Sequence, residues 1–367
     1  MPPRPAPPTV ADVARAAGVS TATVSRALNL PQQVRPALQA RVAQAIERLG
    51  YVPHAGARAL SLNRSGTFGI VIPTIDNAIF AHGLQAFQRR IGVHGYQLLL
   101  AFSGYRVDEE LAQALNLMQR GVEAIALVGT SQRPELLERL ARRGLPWAHT
   151  GSFPAPAGGA CFGFRNRRAV GGAVRHLLEL GHRRIAMLSG VVDGNDRARD
   201  RVRGVSQALA RAGAPLRPEG FAEAVYEIGP ARDAASRLLA ASPAPSAIIC
   251  GNDVLAWGAM LEAAARGLSI PADLSIVGFD DLPLSRHWQP PLTTVQVPIA
   301  RMWELAADHL VERVRDPAIG PVQVEIPVEL VVRGSTGPAP AAPRRRPLRR
   351  AAPTVGATPS ATAAPPA

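Results

Sequence analysis

Between residues 9 and 49 the apolar positions recur at helical spacing in three short runs. Val10, Val13, Ala14 and Ala17 share a face behind Thr9, which can cap a first helix with Asp12 three residues on. Gly18 interrupts, as a tight turn requires. Ser20 can cap a second helix whose Val24, Ala27 and Leu28 point inward. After 29–33, Pro36 can open a third, with Leu38, Val42, Ala45, Ile46 and Leu49 at helical spacing. Residues 50–65 read as a hinge with a short helical piece over Ala55–Leu60.

From Phe68 the period changes. Short β-rich runs (Phe68–Ile72, Gln97–Ala101, Ala124–Val128, Arg184–Ser189, Ser246–Cys250, Leu274–Phe279) alternate with amphipathic helices, among them Phe80–His94, Glu109–Arg120, Ala169–Leu180, Ala198–Ala212, Val254–Ala265 and Ile299–Arg315. Such alternation predicts parallel doubly wound sheets with helices on both faces, and its extent predicts two such lobes. The expected organisation is a disordered arm (1–8), an all-α unit (9–49), the hinge (50–65), a two-lobed α/β domain (66–333) and a tail (334–367). The first lobe takes about 66–164 and 297–325, the second about 165–296 and 326–333. The tail is mostly Pro, Ala, Arg and Thr, which cannot bury a core, and should be disordered.

Composition changes this picture little. With 47% hydrophobic and 19% charged residues, a 367-residue chain has ample material for buried cores. No run approaches the ~18 apolar residues of a membrane span, and the N-terminus lacks the apolar segment of a secretory signal. The expected compartment is therefore the cytoplasm. Cys161 and Cys250, the only cysteines, lie among small or apolar residues and read as reduced core thiols. Charge matters more. The formal charge is +13, and every basic residue is an arginine. Residues 1–65 carry Arg4, Arg15, Arg26, Arg35, Arg41, Arg48, Arg58 and Arg64 against Asp12 and Glu47 alone. A basic N-terminal unit points to a polyanion, nucleic acid above all. Arg344, Arg345, Arg346, Arg349 and Arg350 in the tail could add salt-sensitive affinity for DNA.

The helix–glycine turn–helix over Thr9–Leu28 is the layout that lays its second helix in the major groove of double-stranded DNA. Its first residues, Ser20, Thr21 and Ala22, would meet base edges, with Arg26 one turn further on. Thr21 can bond a base or set its methyl on thymine, Ala22 offers a small apolar contact, and Arg26 can fork onto guanine O6 and N7. An ordinary three-helix bundle has the same pattern, but the local charge weighs against it.

The segments TVADVARAAGVSTATVSRALN (9–29), LGYVPHAGARAL (49–60), FGIVIP (68–73), LELGHRRIAMLSG (178–190), GNDVLAWGAM (251–260), IPADLSIVGFDD (270–281) and PPLTTV (290–295) follow in fixed order and spacing. In these motifs the chain, from about residue 9 to 333, resembles the LacI/GalR family of bacterial regulators. The resemblance implies a helix-turn-helix joined to a periplasmic-binding-protein-like domain. It matches Thr21, Ala22 and Arg26 to base-reading positions. It matches Leu60 to a hinge leucine that wedges into the minor groove at the operator centre and bends the duplex. Thr9, Ser20, Thr23, Ser25, Asn29, Tyr51, His54 and Arg58 complete the candidate DNA contacts. At Val34-Arg35-Pro36 the family's usual capping serine or threonine is missing, so the third helix starts differently or Arg35 reaches a phosphate.

Ligands of open α/β sheets bind beyond the carboxyl ends of the strands. That rule selects Asp76, Asn77 and Phe80; Ser103 and Tyr105; Asn195 to Arg201; Asn252 and Asp253; and Asp280 and Asp281. Carboxylates, amides, an arginine and aromatic rings together suit a polyhydroxylated ligand. The resemblance singles out Arg201, Asn252 and Asp280 as pocket residues. At least one of Asn252 and Asp253 is also expected to cap the next helix, and Asp281 to be a cap or surface group. Arg197, Arg199 and Arg203 read as a solvated face, with Arg201 the inward member. Arg165-Asn166 stands where many relatives have an aspartate–asparagine pair, and Pro230 where an aromatic often stacks on sugar. The stretch HGYQLLLAFSGY (94–105) is similar to gluconate-type members, and extra arginine near the cleft suits a sugar acid.

No enzyme activity, metal or cofactor is expected. The eight histidines show no H-E-x-x-H spacing, and no G-x-S-x-G elbow or phosphate-binding loop occurs. Asp280 and Asp281 are adjacent and diverge, and His182 reads as a turn residue. A sugar-binding protein of the same fold without a DNA role is the alternative; the basic helix-turn-helix weighs against it. The resemblance implies a homodimer on a near-palindromic operator, most often in repression, with no leucine heptad to make it a tetramer. A small-molecule effector would close the lobes and order or melt the hinge helix around Leu60.

Overall fold

The computed structural model describes residues 7–52 and 64–340. Three helices come first: α1 (Val10–Ala17), α2 (Thr21–Asn29) and α3 (Pro36–Leu49). A reciprocal capping box starts α1: the Thr9 hydroxyl accepts from Asp12 N–H at 3.3 Å, and the Asp12 carboxylate accepts from Thr9 N–H at 3.0 Å. Gly18 ends it at φ 62°, left-handed backbone that costs glycine nothing. Arg41 on α3 reaches under this turn and donates to the Ala17 carbonyl at 2.6 Å, which holds the first two helices at a fixed angle. Val13, Ala14, Ala17, Val24, Val42 and Ala45 close the small core. At α3, Arg35 occupies the cap position without a side-chain bond, and Pro36 stands at the first turn; Gln39 donates back to the Val34 carbonyl at 2.7 Å. Thr9→Ala should cost the first helix about 1 kcal/mol, roughly fivefold in local opening. Amide hydrogen exchange across 10–17 in the full chain measures it; unchanged protection there would contradict the capping role.

The remainder is two sheets. The strands are β1 (Thr67–Ile72), β2 (Gln97–Phe102), β3 (Ile125–Val128), β4 (Trp147–Thr150), β5 (Ala160–Gly163), β6 (Ile185–Gly190), β7 (Phe221–Ala224), β8 (Ala247–Cys250), β9 (Ser275–Asp280), β10 (Thr293–Gln296), β11 (Gln323–Glu325) and β12 (Glu329–Val331). One sheet runs β11-β5-β4-β3-β1-β2, all parallel; the other runs β12-β10-β9-β8-β6-β7, parallel except for β12 against β10. Helices α4 (Ala78–Val93), α5 (Val107–Gln119), α6 (Pro134–Arg142), α7 (Asn166–Glu179), α8 (Asp196–Arg211), α9 (Ile228–Leu239), α10 (Asp253–Ala265) and α11 (Ile299–Arg315) cover their faces. Because both faces are covered, the central strands read as unbroken apolar runs such as Phe68–Ile72 and Ala247–Cys250, buried at every position. The chain crosses between lobes after β5, after β10 and between β11 and β12. Trp303 on α11, fully buried, meets Phe87 on α4 edge-on at 6.0 Å and seals the first lobe.

One expectation needs correction here. The folded second lobe does not stop at 333. Ser335 is fully buried; its hydroxyl donates to Ile276 O at 2.6 Å and accepts from Thr293 N–H at 2.8 Å. His182 reaches Ser246 Oγ at 2.9 Å and Gly337 O at 3.0 Å, and Ala339 N–H donates to Leu180 O. Small and hydroxyl residues therefore serve as a final strap that composition had assigned to the tail. Tyr51, expected among the DNA contacts, has its ring packed into the three-helix core at 8% exposure.

Candidate functional site

On α2 the side chains of Thr21, Ala22 and Arg26 are exposed, while Val24 is buried. Ser20 caps the helix through Thr23 N–H at 3.1 Å and shares a hydroxyl contact of 2.9 Å with Thr23. Asn29 donates to Ser25 Oγ at 3.3 Å. These four polar groups thus already have local partners. Arg26 makes no ion pair among the described residues, which leaves it free to reach outward. His54, Arg58 and Leu60, and the helical piece expected at 55–60, lie outside the described residues.

The second site is a cleft between the lobes, lined by residues of both. Strand ends from both sheets meet there. Asn77, Phe80, Tyr105, Asn195, Arg201, Asn252 and Asp280 all line it. Asp76 and Ser103 do not. Asp76 is exposed and turned back on the Thr74 hydroxyl at 3.2 Å; Ser103 is buried, its N–H bonded to Ile72 O in continuation of the β1–β2 pairing. The cleft also takes Phe164, Tyr226 and Trp303, which strand-end reasoning missed, and Arg197, which fell within the Asn195–Arg201 stretch but read as solvated. Tyr226 follows β7, a four-residue strand with no strong apolar run, and its ring lies 5.9 Å from that of Tyr105. Pro230, on α9, is not among the lining residues; the nearby ring is Tyr226.

Each polar group is held from behind. Asn195 caps α8 through Ala198 N–H and donates to the Tyr226 hydroxyl at 3.1 Å. Arg201, 7% exposed, donates to Asn166 Oδ1 at 2.8 Å and lies over the Phe279 ring at 4.6 Å. Asn252 caps α10 by accepting Leu255 N–H at 2.9 Å. Asp253 faces the other way: its carboxylate accepts from Leu282 N–H, Ser285 and Thr294 at 2.6–2.7 Å, and burial pushes it up to about 6. That cluster pins the turn carrying Asp280, whose φ is 109°. Asp281, at φ 54°, is buried against Arg333 at 2.7 Å rather than exposed as expected, because the turn rotates it away from solvent. With Tyr105 at φ 62°, these are the non-glycine residues of positive φ among those described, and they cluster at the cleft, where strain is held only by surrounding bonds.

Charge in the cleft is uneven. Burial drives the Asp280 carboxyl well above the ordinary carboxylate range; the Arg201 guanidinium opposes this and the Asp253 carboxylate reinforces it. Arg197, expected on a solvated face, is 9% exposed and paired with Asp196 at 2.9 Å. Arg201 forms no ion pair among the described residues. Its Nε and the Asn252 Nδ2 are buried donors with no acceptor among the described residues. Those residues hold no cluster of three or more His, Cys, Asp or Glu that could bind a metal, and no helix long and apolar enough to cross a membrane.

This combination of a basic helical reader and a two-sheet cleft is shared with known proteins. Residues 9–54 match the domain described as bacterial regulatory proteins, lacI family, and residues 174–336 the periplasmic binding protein-like domain. The chain is 31% identical over 328 residues to catabolite control protein A of Priestia megaterium, covering 89% of this chain and 99% of that protein. It is 33% identical over 331 residues to the ribose operon repressor of Escherichia coli K12, covering 89% and 99%. Among solved structures it superposes with TM-score 0.79 and 26% identity on the lac repressor dimer bound to operator and the anti-inducer ONPF, covering 90% and 100%. The chain therefore belongs to the lacI family of bacterial regulatory proteins and is a DNA-binding transcription regulator rather than an enzyme.

Proposed function

We propose that this protein is a cytoplasmic repressor that binds a near-palindromic operator as a homodimer, and that a sugar or sugar acid in the interlobe cleft sets its operator affinity. The observation that carries the effector reading is the pair of buried, unpartnered donors, Arg201 Nε and Asn252 Nδ2, in side chains that line an aromatic-walled cleft. A ligand carboxylate or vicinal hydroxyls would supply the acceptors, and Tyr105, Tyr226 and Phe164 would cover the apolar face of a sugar ring. Because Arg201 forms no ion pair among the described residues, a sugar acid of gluconate type fits this reading as well as a neutral sugar. The relatives' names, a ribose operon repressor and an operator-bound repressor dimer, support the same class of partners.

Thr21, Ala22 and Arg26 would read base edges, and Leu60 would wedge the operator centre. The deciding test is footprinting of the purified protein on its own upstream intergenic DNA at fixed salt, with and without a panel of sugars and sugar acids. Protection over a palindrome that one compound alters supports the proposal; weak, salt-labile binding to any DNA would overturn it. In the same assay Arg26→Ala should weaken operator binding by about 1–3 kcal/mol, roughly 5- to 150-fold, with little effect on non-specific DNA. An equal loss on both DNAs would make Arg26 a phosphate contact instead.

A further inference from the structure

Asp196 belongs to the second lobe, at the first turn of α8, yet most of its bonds are to the first. One carboxylate oxygen accepts from Thr130 N–H at 3.0 Å, from the Thr130 hydroxyl at 3.0 Å and from the Ser152 hydroxyl at 2.5 Å. The other oxygen takes Arg197 at 2.9 Å. Thr130 follows β3 and Ser152 follows β4, so one buried carboxylate joins two strand ends of the opposite lobe. The receiving notch is shaped for this pair. Gly129, at φ 77°, leaves the space: a Cβ there would stand 1.9 Å from Arg197 Nη1 and 2.3 Å from Asp196 Oδ1. The Gly129 carbonyl is held in turn by His149 Nδ1 at 3.1 Å, and the Trp147 indole donates to His149 Nε2 at 3.2 Å, so Nδ1 carries the proton. Burial pushes the Asp196 carboxyl up, but Arg197 and the Ser152 and Thr130 donors outweigh it and hold it below its ordinary value.

We infer that Asp196 is an interlobe clasp: it ties the lobes together across the cleft mouth and presents Arg197, a cleft-lining residue, to the ligand. Asp196 itself does not line the ligand cavity, so it is a positioning residue. Part of the free energy of lobe closure then comes from protein–protein bonds rather than from ligand contacts. The role in effector response rests on the proposed effector cleft; the role in lobe geometry does not.

Two measurements separate these. In the first, spin labels are placed at the exposed positions Glu135 on α6 and Asp233 on α9, both changed to Cys, in full-length chain diluted with unlabelled chain; native Cys161 and Cys250 are buried at 0% and 1% exposure. Asp196→Ala should widen and lengthen the interlobe distance distribution. So should Thr130→Val with Ser152→Ala, to a lesser degree: it removes both hydroxyl donors from the opposite side and keeps the Thr130 N–H bond and the Asp196–Arg197 pair. The triple variant should add nothing beyond Asp196→Ala. Asp196→Asn, which retains an acceptor oxygen, should lie between. If Asp196→Ala fails to fold, the Thr130/Ser152 variant carries the test. An unchanged distribution in folded variants overturns the clasp. In the second measurement, binding of the compound selected by the sugar panel should weaken by about tenfold or more in Asp196→Ala, an ordinary size for allosteric coupling. Widened lobes with unchanged ligand affinity would overturn the role in effector response. A panel in which nothing binds the native protein would count against the effector reading, and the distance measurement would still decide the clasp.

Discussion

Replacing Arg201 with alanine should weaken effector binding by about 2–5 kcal/mol, roughly 30- to 4,000-fold in Kd, while operator binding without ligand stays close to native. The size follows from burial. Arg201 is 7% exposed and forms no ion pair among the described residues, so a ligand acceptor bonded to it is worth far more than a surface contact. The same substitution removes the bond to Asn166 and the face contact with Phe279, so some stability is lost too. Arg201→Lys keeps the charge but not the planar fork, and should recover only part of the affinity. Titration of each variant with the compound found by footprinting, alongside a melting curve to show that it is folded, measures this. Native affinity in a folded Arg201→Ala protein would remove Arg201 from the ligand site.

Glu110→Gln should stabilise the protein above neutral pH and do nearly nothing below pH 5. Glu110, on α5, is 8% exposed and accepts from Gln132 Nε2 at 2.9 Å. Burial pushes its carboxyl up to about 7, more than the Gln132 bond and the Arg197 charge bring it down. Its folded value is thus above its unfolded value of 4.5. A raised carboxyl contributes stability that is fully present below pH 4.5 and lost as pH rises through about 7. Over that window the contribution amounts to about 3 kcal/mol at 1.36 kcal/mol per unit. Glutamine keeps the acceptor for Gln132 and has no charge to bury, so its advantage over the native protein should appear only as pH rises. Denaturant unfolding of both proteins at pH 5 and pH 8, followed by a probe in the first lobe, tests the sign. A constant difference at both pH values would show that Glu110 does not titrate in this range.

Local pattern made much of this protein legible. Helix α1 follows from Thr9, Asp12 and the apolar face ending at Gly18, all within ten residues, and the parallel sheets follow from apolar runs alternating with amphipathic helices. Strand-end chemistry found Asn77, Tyr105, Asn195, Arg201, Asn252 and Asp280, because the cleft of an open sheet must form where strands stop. What lay beyond the sequence depends on contacts between distant segments. Arg197 looks like any arginine on a helix; it is buried because Asp196 and the glycine at 129, far apart in the chain, meet across the lobes. Asp281 is adjacent to Asp280 but turns to Arg333, and Ser335 enters a core that its own neighbourhood could not predict. The family, the two-part architecture and most cleft positions were legible from short-range periodicity and motif spacing. Tertiary contacts set which arginine lacks an ion pair among the described residues, which carboxylate joins the lobes and that the second lobe continues past residue 333, because burial and pairing are properties of two surfaces brought together and no single segment contains both.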